Sequence, residues 1–191
     1  IADEVLLCDL KESKVTSEVQ DLNDAVMYMP NHVIYKASDY AGLKDCDVIV
    51  NAVGDITLCA SGSRDGELEN SVKQVADYVP KVMAAGFHGL FVSITNPCDV
   101  VVNLIARKSG LPKGYVMGTG TLLDSSRLIH AISGQTGLDS RGFTAFMLGE
   151  HGNSQIVPWS QMTFYGKPLS EMESDPKFRF DKKKIEERTI K

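Results

Sequence analysis

Short apolar segments with strand character alternate with longer segments of helical period over about two thirds of the 191 residues. The segments predicted as strands are residues 5–9, 33–36, 47–50, 90–95 and 115–117. The segments predicted as helices are residues 71–85, 99–108 and 122–133, the first with Val72, Val75, Val79 and Val82 at spacings of three and four. Such alternation is typical of an α/β fold, in which crossover helices join parallel strands and cover both faces of the sheet. Sheets of this kind bind ligands at the carboxyl ends of their strands.

The pattern changes towards the C-terminal end of the chain. Residues 142–148 and 156–164 are apolar and rich in β-forming residues, and the charged C-terminal tail is predicted to be helical. We therefore expect two domains: an α/β domain over residues 1–118 and part of a smaller α+β domain over residues 119–191.

The first predicted strand already ends in an acidic residue, Asp9. A dinucleotide-binding sheet normally begins with an earlier strand and a glycine-rich phosphate loop. Gly118-Thr119-Gly120 is followed by no third glycine at the required spacing. We expect residues 1–118 to lack that first strand and loop and residues 119–191 to be truncated, so that these 191 residues alone bind a dinucleotide weakly.

Composition narrows the class of protein. An apolar fraction of 43% and a net charge of −5 are ordinary for a globular chain and give no electrostatic footprint for nucleic acid. No apolar run approaches the roughly 20 residues that span a bilayer, and the N-terminus carries no secretory signal pattern. We predict a cytoplasmic protein whose partners are small molecules or copies of itself, with no nucleic acid or membrane among them.

The four cysteines are Cys8, Cys46, Cys59 and Cys98. They lack the spacing of a zinc site or of a disulfide framework, and two of them lie inside apolar runs. We predict buried free thiols and no metal site.

Polar or small residues follow three of the predicted strands. Asp9 ends the first, where the carboxylate of a nucleotide-binding sheet accepts hydrogen bonds from the adenosine ribose and selects NAD over NADP. Residues 51–54 (NAVG) end the third, and their small side chains let the backbone approach a ligand. Asn96 ends the fourth, where its amide can reach a cofactor or substrate. The structural alternatives are a turn aspartate at Asp9, a tight turn that needs Gly54, and a helix cap at Asn96.

His151 lies between two glycines in the segment GEHGNS, a setting that suits either an approachable imidazole or a simple turn. Residues Thr121 to Asp124 have the form of a capping box, and Asp124 with Arg127 at i, i+3 has the spacing of a surface ion pair. Alternatively, one helix face presents a carboxylate that orients a histidine and a guanidinium that holds a substrate carboxylate in two parallel bonds.

Residues 55–70 are polar, contain glycine and carry Arg64 as their single cation. They are predicted to form a mobile loop before a helix that starts near Leu68. A loop that closes over a site excludes water and completes the catalytic set, whereas the alternative is a solvated arginine.

Four motifs follow one another along the chain: NAVG at residue 51, ITNPCD at residue 94, GTGTLLDSSR at residue 118 and GEHGNS at residue 149. In this order they resemble the L-lactate and malate dehydrogenase superfamily, most closely its L-2-hydroxyisocaproate dehydrogenase branch. The resemblance runs over essentially all 191 residues. It implies a Rossmann-type dinucleotide-binding domain followed by part of a substrate domain, NAD as cofactor, and reversible reduction of a 2-oxo acid to an L-2-hydroxy acid. It also implies a homodimer or homotetramer.

The resemblance implies a role for each matching residue of the substrate site. His151 becomes the proton donor and acceptor, Asp124 its orienting carboxylate, and Arg127 the clamp for the substrate carboxylate. Arg64 polarises the reacting carbonyl and, with Asn96, contacts the substrate. A histidine suits proton exchange because the ordinary pKa of that side chain, about 6.5, lies near neutral pH.

The resemblance also implies the cofactor side of the site. Asp9 binds the ribose. The residues that line the nicotinamide side are Asn51, Ala52, Val53, Gly54, Thr95 and Asn96. The peptide bond between Asn96 and Pro97 is expected to be cis.

The Arg64 loop bears on the choice of substrate. A dicarboxylate such as oxaloacetate needs a second cation in the loop. Residues 55–70 carry no cation besides Arg64, so malate is disfavoured. The apolar Ile56, Leu58 and Cys59 suit lactate or a larger branched acid such as 2-hydroxyisocaproate. Two alternatives stay open: a malate dehydrogenase and a catalytically silent nucleotide-binding homologue.

Overall fold

A computed structural model describes residues 2–55, 57 and 64–190, with the backbone alone at residues 64 and 65. The strands are β1 (Glu4–Leu7), β2 (Ile34–Ala37), β3 (Val48–Asn51), β4 (Leu90–Ser93), β5 (Val116–Gly118), β6 (Phe143–Thr144), β7 (Thr163–Phe164) and β8 (Lys167–Pro168). The α-helices are α1 (Glu12–Ala25), α2 (Arg64–Ala84), α3 (Cys98–Ser109), α4 (Leu122–Thr136), α5 (Leu169–Met172) and α6 (Lys182–Thr189). Among these helices, none combines the length and apolar character needed to cross a membrane. The five strands predicted over residues 1–118 are confirmed to within two residues at each end.

Parallel pairing organises the first five strands. Strand β1 pairs with β2, with Leu6 opposite Lys36, and β4 lies between β3 and β5, with Phe91 opposite both Ile49 and Val116. Helix α2 joins β3 to β4 and α3 joins β4 to β5, so each of these parallel connections passes through a helix. The predicted α/β class is confirmed. Because β3, β4 and β5 run in one direction, their carboxyl ends lie at one edge of the sheet.

Helices α2 and α3 cover one face of β3–β5. The valine stripe predicted on α2 is confirmed, since Val75, Val79 and Val82 are fully buried. They pack with Ile49 and Phe91 from the strands below. Spacings of three and four keep the three valines on the side of the helix that meets the sheet. On the opposite face of the sheet the exposed apolar side chains are Val48, Val50, Ile94 and Met117.

A second apolar core forms around helix α4. Leu128 and Ile132 of this helix are fully buried and pack with Met147 and with Ile185 of α6. The short strands β6, β7 and β8 form an antiparallel sheet on the same core, with Phe143 opposite Phe164. Helix α4 therefore reaches from the second core to the edge where β5 ends.

One helix was missed in the sequence, and one secondary-structure expectation was wrong. Residues 12–25 form helix α1, which no apolar stripe marks because Val15 is its one buried residue. The loop expected over residues 55–70 ends earlier, since α2 begins at Arg64 rather than near Leu68. Ile56, Leu58 and Cys59 lie outside the described residues.

The cysteines of the described part of the chain are free thiols. Cys98 is buried as predicted and Cys46 is half-buried. Cys8 is exposed, contrary to the prediction, because β1 ends at Leu7 and the chain leaves the sheet there.

Candidate active site

Two turns at the carboxyl edge of the sheet are joined by a side chain. Asn51 ends β3 and Thr95 follows β4, and these residues are 2% and 5% exposed. The Thr95 hydroxyl donates to the carbonyl oxygen of Val53 at 2.8 Å, across the two turns. Ala52 and Gly54 are exposed beside it. The turn of residues 51–54 thus presents its backbone to solvent, while the Asn51 and Thr95 side chains are occupied underneath.

Asn96 lies at the end of the adjacent turn and is exposed. The Asn96-Pro97 peptide bond is cis, as expected. The structural alternative of a helix cap at Asn96 is wrong, because Pro97 is the N-cap of α3 and α3 has no side-chain cap. Ser71 of α2 donates from its hydroxyl to the carbonyl oxygen of Asn96 at 3.0 Å, which fixes the turn from below.

The predicted partnership of His151 and Asp124 is present. The Nδ1 atom of His151 lies 2.6 Å from Oδ2 of Asp124, across 27 residues of sequence. The Asp124 side chain is 2% exposed and the His151 side chain is 29% exposed. The carboxylate therefore lies inside the protein, and the imidazole lies between it and solvent.

Arg127 contacts the other oxygen of the same carboxylate. Its Nη1 atom donates to Oδ1 of Asp124 at 3.1 Å, while the arginine side chain is 52% exposed. The alternative of a surface ion pair is wrong for Asp124, because that side chain is buried. A buried carboxylate needs partners for both oxygens, and His151 and Arg127 supply them. Arg127, His130 and Arg188 also line an open cleft of about 360 Å³ next to this cluster.

Helix α4 holds the segment that precedes His151. The Thr121 hydroxyl donates to the carbonyl oxygen of Met147 at 2.8 Å, and the Met147 N–H donates to the Ser125 hydroxyl at 2.9 Å. The capping box predicted at Thr121 is therefore wrong, because that hydroxyl bonds a distant carbonyl and makes no helix cap. These two bonds tie the chain before His151 to the helical turn that carries Asp124.

The loop that carries His151 is closed by a backbone pair. The N–H groups of Leu148 and Ile156 each donate to the other's carbonyl oxygen, at 2.9 and 2.8 Å. Gly149 has φ of +103°, a conformation that a side chain disfavours, and a Cβ there would lie 3.3 Å from Cα of Gln155. The first glycine of GEHGNS thus serves the tight entry to the loop.

Asp9 lies just beyond the end of β1 and is exposed. Its Oδ1 atom accepts a hydrogen bond from the Lys11 N–H at 3.0 Å, and Oδ2 lies 3.7 Å from Nζ of Lys14. The carboxylate stands at the carboxyl end of a parallel strand with one oxygen bonded to its own turn, so both the turn role and a ligand role are compatible with its position.

Arg64 is the first residue of α2, and its side chain lies outside the described part of the chain. The role of Arg64 therefore stays a prediction. Four polar residues of this edge were missed in the sequence: Ser71, Tyr78, Ser93 and Ser125. Ser125 lies inside the motif GTGTLLDSSR, and Tyr78 is a polar residue next to the valine stripe of α2, which is the signal that could have indicated them.

Known proteins resemble this chain over most of its length. Residues 1–118 match the family model described as lactate/malate dehydrogenase, NAD binding domain. L-lactate dehydrogenase 1 of Bifidobacterium longum subsp. longum is 40% identical over 192 residues, covering 99% of this chain and 60% of that enzyme. The L-lactate dehydrogenase of Fusobacterium nucleatum subsp. nucleatum is 40% identical over 177 residues, covering 92% of this chain and 55% of that enzyme. The crystal structure of minor L-lactate dehydrogenase from Enterococcus mundtii has a TM-score of 0.90 and 29% identity, covering 99% of this chain and 60% of that one.

The parallel α/β fold and its carboxyl-edge motifs define the Rossmann-type class of dinucleotide-binding proteins. Within that class, the chain belongs to the lactate/malate dehydrogenase family. It spans about 60% of the length of the Bifidobacterium relative. The L-2-hydroxyisocaproate branch of the family stays a prediction, since the relatives named above are lactate dehydrogenases.

Proposed function

We propose that the protein is an NAD-dependent L-2-hydroxy acid dehydrogenase that reversibly reduces a 2-oxo monocarboxylic acid. The observation that carries this proposal is the buried carboxylate of Asp124, which bonds His151 at 2.6 Å and Arg127 at 3.1 Å. One acid–base group and one carboxylate-binding group are thereby held at a fixed separation. Family relatives named L-lactate dehydrogenase support the reaction class.

His151 is the proposed proton donor and acceptor. A carboxylate oxygen 2.6 Å from Nδ1 favours the tautomer that carries a proton there, because an ionised carboxylate only accepts hydrogen bonds. Nε2 is then the ring atom left to exchange a proton with the substrate oxygen. Asp124 acts through His151 and fixes the plane of the ring.

Arg127 is the proposed clamp for the substrate carboxylate. A guanidinium has five N–H donors in a planar fork, and Arg127 contacts Asp124 through Nη1. The exposed remainder of the fork suits a carboxylate held by two parallel bonds. The link to Asp124 would hold the fork at a set distance from His151.

NAD is the proposed cofactor, and it supplies the hydride when bound. The chemistry of the donor set fits: Asp9 offers a carboxylate for a ribose diol at the end of β1. The backbone of Ala52, Val53 and Gly54 is the proposed lining of the nicotinamide side, together with Asn96. Asn51 and Thr95 are proposed to act from beneath, since both side chains are buried.

Arg64 is the proposed cation that stabilises the negative charge developing on the substrate oxygen, and with Asn96 it would contact the substrate. Its place at the start of α2 supports this, because Ser71, about 10 Å further along the helix axis, bonds the Asn96 turn. Loss of one such donor from a site without water costs on the order of 3 kcal/mol of transition-state stabilisation.

The division into a dinucleotide-binding domain over residues 1–118 and part of a substrate domain over residues 119–191 is part of the proposal. Its support is the family match over residues 1–118 and the presence of two apolar cores, one on either side of that boundary. We also propose a homodimer or homotetramer, on the family resemblance, and a cytoplasmic location, which the free thiols of Cys8, Cys46 and Cys98 support.

The proposal is tested by oxidation of NADH by the full-length protein with pyruvate, 2-oxoisocaproate and oxaloacetate in parallel. Turnover with either monocarboxylate supports the proposed reaction, and a preference for 2-oxoisocaproate supports the apolar interpretation of the loop. A preference for oxaloacetate would favour malate dehydrogenase and direct attention to Arg188, which lines the cleft beside Arg127. NADH binding without turnover on any of the three would favour the silent homologue.

A further inference from the structure

A buried tyrosine of α2 bonds the end of a neighbouring strand. Tyr78 is 6% exposed and lies among the apolar residues of the first core, next to Val79. Its hydroxyl donates to Oδ1 of Asn51 at 2.8 Å. The Tyr78 ring packs in that core with Val75, Val79 and Val82, but the bond between its hydroxyl and the Asn51 amide adds nothing to the apolar contact. The polar pair therefore calls for a separate explanation.

The Asn51 amide is oriented with Oδ1 towards the Tyr78 hydroxyl. With Oδ1 turned to the tyrosine, Nδ2 of Asn51 donates both of its hydrogens, to the Ser93 hydroxyl at 2.9 Å and to the Thr95 hydroxyl at 3.1 Å. A flipped amide would place its NH₂ group against the Tyr78 hydroxyl and its oxygen between Ser93 and Thr95. In the observed orientation of the Asn51 amide, the hydroxyl oxygens of Ser93 and Thr95 accept hydrogen bonds from Nδ2.

Thr95 links the Asn51 amide to the exposed turn of residues 51–54 by a further hydrogen bond. Because its hydroxyl oxygen accepts from Asn51, its own hydrogen is available for the Val53 carbonyl oxygen at 2.8 Å. Three hydrogen bonds thus run in one direction, from Tyr78 to Asn51, from Asn51 to Thr95 and from Thr95 to Val53. These three bonds are called the relay below. Ser71, two helical turns before Tyr78, bonds the Asn96 carbonyl from the same helix.

The first donor of this relay does not ionise near neutral pH. Burial, with a smaller contribution from Tyr40, raises the pKa of Tyr78 above the ordinary value of 10.0. The hydroxyl therefore keeps its proton near neutral pH and can donate it to Asn51.

We propose that Tyr78 is a positioning residue for the cofactor side of the site, which acts through Asn51 and Thr95 on the Val53 carbonyl and the turn of residues 51–54. The proposal rests on the proposed function for its ligand, NAD(H). The relay joins the helix to the two turns that the proposed function places against the nicotinamide. Its effect is to hold these turns at one separation before the cofactor arrives, so that binding pays no cost of ordering them.

The test compares Tyr78→Phe with Tyr35→Phe. Tyr35 lies on β2, and its hydroxyl contacts the sulfur of Met29, so the second variant loses a hydroxyl away from the relay. We expect Tyr78→Phe to weaken NADH binding about fivefold, the usual scale for loss of one hydrogen bond, and Tyr35→Phe to leave it unchanged. The Gly54 amide signal in NMR spectra without cofactor should also move in Tyr78→Phe alone, since this amide shares its peptide unit with the Val53 carbonyl.

A double-mutant cycle separates positioning from general stability. If Tyr78 acts through Asn51, then Tyr78→Phe has little further effect on NADH binding in an Asn51→Ala background. Thr95→Val should reproduce the loss and Thr95→Ser should restore it, and this pair replaces the tyrosine variant if that variant fails to fold. Additive effects in the cycle, or an unmoved Gly54 signal with unchanged NADH binding, would overturn the proposal. These binding measurements use the full-length protein. If the full-length wild-type protein binds no NADH, the proposed function fails, and the Gly54 signal alone then tests the bonds from Tyr78 to Val53.

Discussion

The protein has two polar clusters at one edge of the fold, and they are built in opposite ways. The cluster around Asp124 contains a buried carboxylate, a partly exposed imidazole and a half-exposed guanidinium. The cluster around Asn51 contains only neutral groups, and the side chains of Tyr78, Ser93 and Thr95 that surround it are buried. Charged groups are costly to bury unless they are paired, whereas neutral groups are satisfied by hydrogen bonds alone. Under the proposed function, the first cluster exchanges a proton with the substrate and binds its carboxylate, and the second holds the two turns of the edge in place.

The largest effect is expected when His151, the proposed proton-exchanging group of the charged cluster, is replaced. We expect His151→Asn to lower turnover about a thousandfold, because a positioned general acid–base group contributes on this scale. NADH binding should change little. His88→Asn is the control, since His88 is exposed and precedes β4, at the opposite end of that strand from the carboxyl edge. Turnover retained in His151→Asn would remove this cluster from the chemistry.

A smaller effect is expected when Arg127 is replaced by lysine, which keeps the positive charge and loses the planar guanidinium. Arg127→Lys should raise the KM for the 2-oxo acid about thirtyfold, equivalent to ~2 kcal/mol for hydrogen bonds to a charged group, because an ammonium cannot form two parallel bonds. Arg188→Lys is the matched control from the same cleft. An unchanged KM in both variants would show that the cleft recognises charge without the geometry assigned to Arg127.

A substitution in the neutral cluster around Asn51 should lower the free energy of unfolding. Ser93 is fully buried and its hydroxyl accepts from Asn51. We expect Ser93→Ala to lower the free energy of unfolding by about 1 kcal/mol through the loss of that hydrogen bond. Ser126→Ala, on the exposed side of α4, should leave it unchanged in the same denaturant titration. A Ser93→Ala protein as stable as the wild type would mean that the hydrogen bonds of the neutral cluster do not stabilise this edge of the sheet.

The smallest effect concerns an exposed pair outside both clusters. The Arg141 side chain and backbone N–H donate to Asp139 and hold the pKa of that carboxyl at about 2, below its ordinary 3.8. Because the folded pKa is the lower one, the contribution to stability is complete above the unfolded value and is lost as the pH falls from about 4 to about 2. The difference in melting temperature between wild type and Asp139→Asn should therefore be small and should vanish across this window. A difference that persists below pH 2 would rule out Arg141 as its cause.

Most of the α/β fold could be predicted from the sequence, because periodicity reports which side of a segment meets the core. The strands and the valine stripe of α2 follow from this rule. Helix α1 could not be predicted, since a helix with Val15 as its one buried residue leaves no stripe in the sequence.

The site was harder to predict because hydrogen-bond partners are chosen by the tertiary fold. The spacing of Thr121 and Asp124 equally suits a local cap, yet the Thr121 hydroxyl bonds Met147, 26 residues away. Likewise, only the family resemblance joined Asp124 to His151, 27 residues apart. The relay from Tyr78 had no signal beyond a polar residue beside an apolar stripe.

The most direct test of the account is the protonation site of the His151 ring, read from imidazole nitrogen NMR signals of the wild-type protein and of Asp124→Asn at a pH where the ring is neutral. The account predicts a proton on Nδ1 in the wild type, where Asp124 accepts it, and a loss of this preference in Asp124→Asn. A wild-type ring with its proton on Nε2 would contradict the account, since Nδ1 would then have no hydrogen to donate to Asp124.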